Sequence, residues 1–252
     1  MADGSRTHAV EVVGRPGGAY ARPVPYTALL LDLDHTLLDS DASEARAFEH
    51  ALTSAGIADP ARHLPTYDRI NRALWTRVER GEISATQVRT LRFARLIEAA
   101  GLDASAEVLA DRFAAGLGAH GELYPGARDV LDALAAEPTV SLALVTNGLS
   151  DVQRARIDRL ALGGYFQAIV ISSELGVAKP APAIFEAALA GLGAPARSSA
   201  VMVGDSLSSD MQGGRNAGIA TCWYNPHRRT GGDGLADHDI ATLDALLALV
   251  RP

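Results

Sequence analysis

The chain has 252 residues, 48% of them hydrophobic and 21% charged, a composition typical of globular proteins and a length that fits one large α/β domain or a domain with an insertion. Its formal net charge of −7 argues against binding to polymeric nucleic acid, which requires a basic surface, and no apolar run reaches the roughly 18 residues of a membrane span. The single cysteine, Cys222, excludes an intrachain disulfide and indicates a reducing cytoplasm. Residues 1–26 mix Gly, Pro, Arg and Ala without a period, which predicts a flexible N-terminal tail.

The first regular element begins at Ala28, where a short apolar run ends abruptly in Asp32, with Asp34 two positions later. Such runs are typical of buried strands in parallel sheets. Successive side chains of a strand point to opposite faces, so the two carboxylates share a face if the extended backbone continues. Two carboxylates this close repel each other unless a cation or a shared proton compensates their charge. The pair therefore predicts a divalent metal ion at the end of this strand.

From residue 41 to residue 121 the pattern is helical throughout. Asp39 or Ser40 can cap the first helix, and the second carries a stripe at three- and four-residue spacing, formed by Tyr67, Ile70, Asn71, Leu74, Trp75 and Val78. A capping box at Ser84–Gln87 opens a third helix, which Gly101 ends, and a fourth covers 104–117. Because a stretch of about 80 residues is too long for a simple connection, the pattern predicts an all-helical insertion.

The rest of the chain alternates between helix and strand. Helices are predicted at 127–136, 151–160, 182–192, 210–217 and 243–250, and strands at 140–145, 168–172, 200–203 and 219–224, with a short edge strand at 237–240. This alternation predicts an α/β fold, a Rossmann-like doubly wound parallel sheet with helices on both faces. The core then comprises 27–40 and 122–252, and the insertion at 41–121 forms a helical cap.

Polar side chains follow four of the predicted strands. They are Asp32 with Asp34, Thr146 with Asn147, Lys179, and Asp205 with Asp210. Parallel strands bring their carboxyl ends to one edge of the sheet, so we expect these groups to converge. Each alone has an ordinary structural explanation, such as a helix cap or a turn. Their joint occurrence at four strand ends favours a catalytic site.

The chemistry that these residue types suggest is phosphoryl transfer through a covalent aspartyl phosphate. A carboxylate is a competent nucleophile, and Mg²⁺ prefers oxygen ligands, which Asp32 and Asp205 would supply. The Thr146 hydroxyl, nearby backbone N–H groups and Lys179 would hold the phosphoryl oxygens. Asp34 would act as general acid toward the leaving alkoxide and then as base for the attacking water.

In their order and spacing, these residues resemble the haloacid dehalogenase-like (HAD) superfamily. Asp32-Leu-Asp34-His-Thr36, Thr146-Asn-Gly148, Lys179-Pro180 and Gly204 to Asp210 are similar to its four motifs. The resemblance implies that Asp32 is the nucleophile and a Mg²⁺ ligand, that Asp34 is the acid/base and gives its backbone carbonyl to the metal, that Asp205 is the other protein ligand, and that Asp210 belongs to the outer shell. It also implies a C1-type cap that selects the leaving group. Dehalogenases of the superfamily generally lack a carboxylate at the position of Asp34, so the resemblance is to its phosphatases, although phosphoglucomutases share all four motifs.

One residue departs from the family pattern, which usually has glycine where this chain has His35. Glycine tolerates backbone angles that histidine resists. His35 either touches the substrate or only shapes the turn beside the cap.

A finer resemblance is to the pyrimidine 5′-nucleotidase group. It rests on Leu74-Trp75, Arg80 to Ile83 and Leu91 to Phe93 in the cap, on Val170 through Pro180, and on Gly213 through Asn225. It implies release of inorganic phosphate from a nucleoside monophosphate such as dUMP or a modified pyrimidine nucleotide. Trp75 and Phe93 could then stack on the base, with Arg92 near a polar edge. Both aromatics fall at helical spacing, which favours ordinary packing over stacking for each of them.

Other readings stay open at this point. The substrate could be a sugar phosphate or another phosphorylated biosynthetic intermediate, and the protein could be a phosphomutase or a non-catalytic HAD-like binding protein. The expected partner is a small phosphorylated metabolite. The sequence does not distinguish a monomer from a homodimer.

Overall fold

The computed structural model describes residues 11–12 and 25–251. The predicted flexible tail therefore lies outside the described residues, apart from 11–12 and 25–26. None of the helices in the described part of the chain combines the length and the apolar character that crossing a bilayer requires.

A seven-stranded sheet forms the centre of the molecule. Its strands are β1 (Glu11–Val12), β2 (Ala28–Leu31), β3 (Ser141–Thr146), β4 (Ala168–Ile171), β5 (Ala200–Gly204), β6 (Ala220–Tyr224) and β7 (His238–Ile240). Their order is β1-β7-β6-β5-β2-β3-β4, and every pair is parallel except β1 with β7. The edge position predicted for the last strand is wrong, because Glu11 pairs with Asp239 and Val12 with His238. Strand β2 lies between β5 and β3, so Asp32 emerges in the middle of the sheet.

Helices cover both faces of this sheet, which confirms the doubly wound α/β fold. The helices are α1 (Ser40–Ser54), α2 (Leu64–Glu79), α3 (Ala85–Ala100), α4 (Ala106–Ala119), α5 (Ala127–Ala135), α6 (Ser150–Arg159), α7 (Ser172–Leu175), α8 (Pro182–Gly191), α9 (Gln212–Asn216) and α10 (Leu247–Val250). The two faces bury separate apolar clusters, because strand side chains alternate. Leu29 and Leu31 belong to one cluster, and Ala28 and Leu30 to the other.

Helices α1 to α4 pack around a third apolar cluster of their own. At its centre four aromatic rings lie against one another, with centroid distances between 4.6 and 5.7 Å: Phe48, Tyr67, Phe93 and Phe113. Leu149 and Val152, at the start of α6, complete the cluster, so these helices rest on the sheet domain there. The division into a core at 27–40 and 122–252 and a cap at 41–121 stays a prediction.

Two predicted helices differ in detail. The turn at Leu207–Met211 is a π-helix, and α9 follows it, where one continuous helix at 210–217 was expected. The π-turn is capped by the Ser206 side chain, which accepts a hydrogen bond from Ser209 N–H. The closing segment at 243–250 begins as a 3₁₀ helix at Leu243–Leu246 before α10. Short 3₁₀ turns are frequent at the termini of α-helices.

Cys222 lies on β6 and is fully buried, and burial raises the pKa of its thiol. Since the thiolate is the reactive form, we expect no reaction with Ellman's reagent at pH 8 in the native protein. One equivalent of thiol should appear in guanidinium chloride. Rapid labelling of native protein would contradict this placement.

Candidate active site

The side chain of Lys179 lies between two buried carboxylates at the end of β2. Its Nζ is 2.5 Å from Asp32 Oδ1 and 2.7 Å from Asp210 Oδ1, and it also donates to the carbonyl of Val145 at 2.8 Å. The contact with Asp210 is an ion pair without the alignment of a good hydrogen bond. The other oxygen of Asp32 accepts a 3.3 Å hydrogen bond from Thr36 Oγ1. Asp32 is therefore held in place by two neighbours.

The two carboxylates share one ammonium group, and their pKa values reflect this crowding. Burial raises the pKa of Asp32, and the negative charges of Asp210 and Asp34 raise it further, although Lys179 opposes them. Burial likewise raises the pKa of Asp210. Burial alone would lower the pKa of Lys179, but the two carboxylates raise it, so the ammonium form is retained. The site has more negative charge than Lys179 neutralises.

Asp205 adds a third carboxylate to this group. One oxygen of each of Asp32, Asp205 and Asp210 lies within 4.8 Å of the others. Burial raises the pKa of Asp205 to about 6, and the charge of Asp32 contributes. Asp205 is partly exposed, and Arg229 Nη2 lies 3.6 Å from its Oδ2. Three converging carboxylates beside the cations of Lys179 and Arg229 still leave an excess of negative charge, which fits a hard divalent cation such as Mg²⁺ that prefers oxygen donors. The donor set therefore suits the predicted metal.

Gly204 allows Asp210 to approach the end of β5. A Cβ at this position would lie 2.2 Å from Asp210 Oδ2, so any side chain would displace that carboxylate. Asp210 Oδ2 instead accepts a hydrogen bond from the backbone N–H of Ser206 at 3.0 Å. This contact fixes the loop that carries Asp205.

The end of β3 brings Thr146 and Asn147 to the same edge of the sheet. Asn147 clamps the backbone of Lys179: its Oδ1 accepts from Lys179 N–H at 2.8 Å, and its Nδ2 donates to the Lys179 carbonyl at 3.0 Å. The side chain of Asn147 thus positions Lys179, and the phosphate contact predicted for Asn147 stays a prediction. Thr146 is fully buried, and its Oγ1 accepts from Gln153 Nε2 at 2.7 Å.

Asp34 has partners that the sequence did not predict. Its carboxylate accepts hydrogen bonds from Gln153 Nε2 and Arg156 Nη1, both at 2.7 Å, and from Ser40 Oγ at 2.5 Å. Burial would raise the pKa of Asp34, but Arg156 and these hydrogen bonds lower it below its ordinary value. The one available signal was the spacing of Gln153 and Arg156. They are three positions apart in the helix that follows Gly148, so their side chains lie on the same face of that helix.

Arg156 also links this carboxylate to both ends of the helical insertion. Its Nη2 donates to Ser43 Oγ at 3.1 Å, in the first turn of α1, and its Nε donates to the carbonyl of Leu117 at 3.1 Å, in the last turns of α4. The side chain is almost completely buried, with 4% of its surface exposed. One residue of α6 therefore contacts Asp34, the start of α1 and the end of α4.

His35 adopts a φ of +60°, in the left-handed region that glycine occupies most readily. Histidine is among the few residues that occupy this region with some frequency. Its Nδ1 lies 3.7 Å from Asp41 Oδ1. Burial lowers the pKa of the imidazole, but the carboxylates of Asp34, Asp205 and Asp41 outweigh it and raise the pKa.

A cavity of about 780 Å³ lies above these groups, between the sheet edge and helices α1 to α3. Asp32, Asp34, Lys179 and Asp205 line its floor, together with His35. On the opposite side it is lined by several cap residues, among them Glu44, Asn71, Trp75 and Arg92. Phe93 is fully buried in the aromatic cluster of the cap and does not line the cavity, so the packing alternative holds for this residue. Packing of the cap took precedence there.

Comparison with known proteins identifies the family. The family model of haloacid dehalogenase-like hydrolases matches residues 26–218, and the chain belongs to this family. Pyrimidine 5′-nucleotidase PynA of Streptococcus pneumoniae is 39% identical over 202 residues, which cover 80% of this chain and 85% of that protein. Pyrimidine 5′-nucleotidase YjjG of Escherichia coli is 34% identical over 208 residues, covering 82% and 90%.

A solved structure supports the same assignment. The HAD-hydrolase YfnB of Bacillus subtilis, bound to magnesium, superposes with a TM-score of 0.81 at 29% identity and covers 90% of this chain and 100% of that one. The chain is thus an enzyme of the HAD-like hydrolase family that resembles the pyrimidine 5′-nucleotidases.

Proposed function

We propose that this enzyme is a Mg²⁺-dependent phosphatase that hydrolyses pyrimidine nucleoside 5′-monophosphates through an aspartyl phosphate on Asp32. The observation that carries the proposal is the joint placement of Asp32, Lys179 and Asp205 on the floor of one cavity, with Asp210 buried beside Lys179. Lys179 offers a fixed positive charge for the phosphoryl group, and Asp32 offers a carboxylate within reach of it. The preference for nucleotides rests on the similarity to PynA and YjjG.

In the first step, an oxygen of the Asp32 carboxylate attacks phosphorus and the bond between phosphorus and the ester oxygen breaks. The protonated carboxyl of Asp34 gives its proton to that oxygen, so the leaving nucleoside departs as an alcohol. Lys179, the Thr146 hydroxyl and the N–H of Asn147 stabilise the charge on the transferred phosphoryl group. Asp32 then carries the phosphoryl group as an acyl phosphate.

In the second step, water attacks the phosphorus, the bond to Asp32 breaks, and Asp34 accepts the proton of the water. Arg156 and Gln153 lower the pKa of Asp34 and so favour its ionised form, which this step requires. The first step needs the protonated form, which is the minor form at neutral pH, so the two steps place opposite demands on this carboxyl. Inorganic phosphate leaves, and the Asp32 carboxylate is regenerated.

Asp32 and Asp205 would hold Mg²⁺ through carboxylate oxygens, with the backbone carbonyl of Asp34, and Asp210 would hold the outer shell. When bound, the ion neutralises negative charge that would otherwise repel the phosphate dianion.

The direct test is phosphate release from a panel containing p-nitrophenyl phosphate, UMP, dUMP, CMP, AMP and ribose 5-phosphate, with Mg²⁺ present. We expect turnover of p-nitrophenyl phosphate and a preference for the pyrimidine nucleotides. Isomerisation of ribose 5-phosphate to ribose 1-phosphate, without release of phosphate, would instead indicate a phosphomutase. Folded protein that releases no phosphate from any of these compounds would overturn the proposal and favour a binding protein.

Removal of divalent cations should stop the reaction. After treatment with EDTA we expect phosphate release to fall to the background rate and to return on addition of Mg²⁺, because Asp32, Asp205 and Asp210 carry more negative charge than Lys179 alone balances. Addition of Mg²⁺ should also raise the melting temperature of the metal-free protein. Full activity in EDTA would contradict the assigned metal role.

The proposed setting is the cytoplasm, whose reducing conditions suit the free, buried Cys222. The proposed partner is the small phosphorylated substrate itself.

A further inference from the structure

Three polar residues of the cap face the phosphoryl site across the cavity. They are Glu44 on α1, Asn71 on α2 and Arg92 on α3, and we refer to them as the cap triad. None of them has a part in the chemistry at Asp32. The arrangement of their hydrogen bonds indicates what kind of leaving group they accept.

Arg92 is buried, with 3% of its surface exposed, and its hydrogen bonds are incomplete. Nη1 donates to Tyr67 Oη at 3.2 Å and to Asn71 Oδ1 at 3.3 Å, and the guanidinium carbon lies 5.0 Å from the ring centre of Phe113. Nε is buried without a partner, and Nη2 donates to none of the described residues. A buried guanidinium is normally paired. Yet within the described part of the chain no carboxylate lies within 4.0 Å of Arg92.

Asn71 connects Arg92 to Glu44. Its Oδ1 accepts from Arg92, and its Nδ2 makes a long 3.5 Å contact with Glu44 Oε2. This contact leaves most of the acceptor capacity of the Glu44 carboxylate unused. The triad thus presents an unused acceptor on Glu44 and an unused donor on Arg92, joined by Asn71. Trp75 lies one turn after Asn71 on the same face of α2 and also lines the cavity.

The charge of the cap wall restricts the ligand further. The cavity lining from the cap includes four carboxyl groups, those of Asp41, Glu44, Asp68 and Glu79, against the two guanidinium groups of Arg72 and Arg92. A second anionic group on the leaving part of the substrate would meet a net negative wall. A neutral group that offers both a donor and an acceptor would meet complementary partners.

We infer that the cap triad binds the polar edge of a pyrimidine base: Arg92 Nη2 donates to a ring carbonyl, Glu44 accepts from a ring or exocyclic N–H, and Trp75 stacks on the base. The inference rests on the proposed function and deepens it, because it assigns base recognition to the cap triad and Trp75. It also predicts that phosphate esters whose leaving group carries a distal carboxylate or a second phosphate are poor substrates.

The test compares three substrates: UMP, ribose 5-phosphate, which lacks the base, and 6-phosphogluconate, which has a distal carboxylate. In Glu44→Gln we expect kcat/KM for UMP to fall roughly tenfold or more, the usual effect of losing a charged hydrogen bond. The value for ribose 5-phosphate should stay within about twofold, and that for 6-phosphogluconate should rise as the negative wall weakens. Arg92→Lys keeps the charge but not the planar donor set. We expect it to lower kcat/KM for UMP selectively, as Glu44→Gln does.

Matched controls are Glu49→Gln on α1 and Arg95→Lys on α3, both at exposed positions. They should leave kcat/KM unchanged for all three substrates. A uniform loss across the three substrates in Glu44→Gln would show that the triad only stabilises the cap, and the inference would be wrong. Wild-type enzyme that hydrolyses ribose 5-phosphate but not UMP would overturn the nucleotide assignment while leaving phosphatase activity intact. No hydrolysis of any substrate would instead remove the proposed function itself.

Discussion

Replacing Asp32 with Asn should reduce steady-state phosphate release by roughly 10⁴-fold or more, as expected when a covalent nucleophile is removed. The amide has the shape of the carboxylate but lacks its negative charge, so it cannot attack phosphorus. The loss should appear in kcat for every substrate, since the nucleophile acts on the phosphoryl group and not on the leaving group. Phosphate release under saturating UMP and Mg²⁺ measures it.

The same variant should remain folded, which separates lost chemistry from lost structure. The folded-state pKa of Asp32 is raised above its unfolded value, so the ionised side chain destabilises the fold at pH values above its ordinary pKa. Asn removes that cost, and Lys179 keeps its pairing with Asp210. We therefore expect a melting temperature equal to or above that of the wild type at pH 7.5.

Asp34→Asn is the matched comparison. It should slow turnover severely and leave Mg²⁺ binding largely intact, because the metal contact implied for Asp34 is its backbone carbonyl. If Asp32→Asn retained near-normal activity, the aspartyl phosphate route would be wrong.

The largest effect on stability is expected for Arg156→Met. The substitution leaves the buried carboxylate of Asp34 without its cationic partner and also removes the contacts with Ser43 and Leu117. Breaking a buried pair from one side costs about 3–5 kcal/mol. We expect the low end, about 3 kcal/mol in the free energy of unfolding, since a quarter of the Asp34 side chain is exposed. Urea denaturation with and without Mg²⁺ measures it.

Arg154→Met, on the same helix, is the control. Arg154 pairs with Glu174 on the surface, where an ion pair contributes about 1 kcal/mol or less. Arg156→Lys then tests position, because lysine can keep the charge beside Asp34 but cannot reach all three partners. Equal and small losses in the free energy of unfolding for Arg156→Met and Arg154→Met would mean that Arg156 stabilises the fold no more than a surface ion pair does.

Much of the sheet edge could be predicted because its signals are local. Apolar runs that end in Asp32, Thr146 and Gly204 identify strands, and the rule that parallel strands end at one edge brings their polar residues together. The position of His35 was also recognisable as unusual, and its φ of +60° supplies the reason. The end of the sheet was less predictable, since the partner of β7 lies more than 220 residues away at Glu11 and Val12.

The sequence by itself therefore determined the fold class, the family and the set of groups around Asp32, because each depends on short motifs in a fixed order. The tertiary structure decided how those groups are shared. It placed Lys179 between Asp32 and Asp210, and it paired Asp34 with Arg156, which lies 122 positions away in sequence. It also buried Phe93 in the cap and left Arg92 facing the cavity, because the packing of helices α1 to α4 against one another determines which of their faces are buried. Partners so distant in sequence are set by packing and charge compensation in three dimensions, which leave no local pattern.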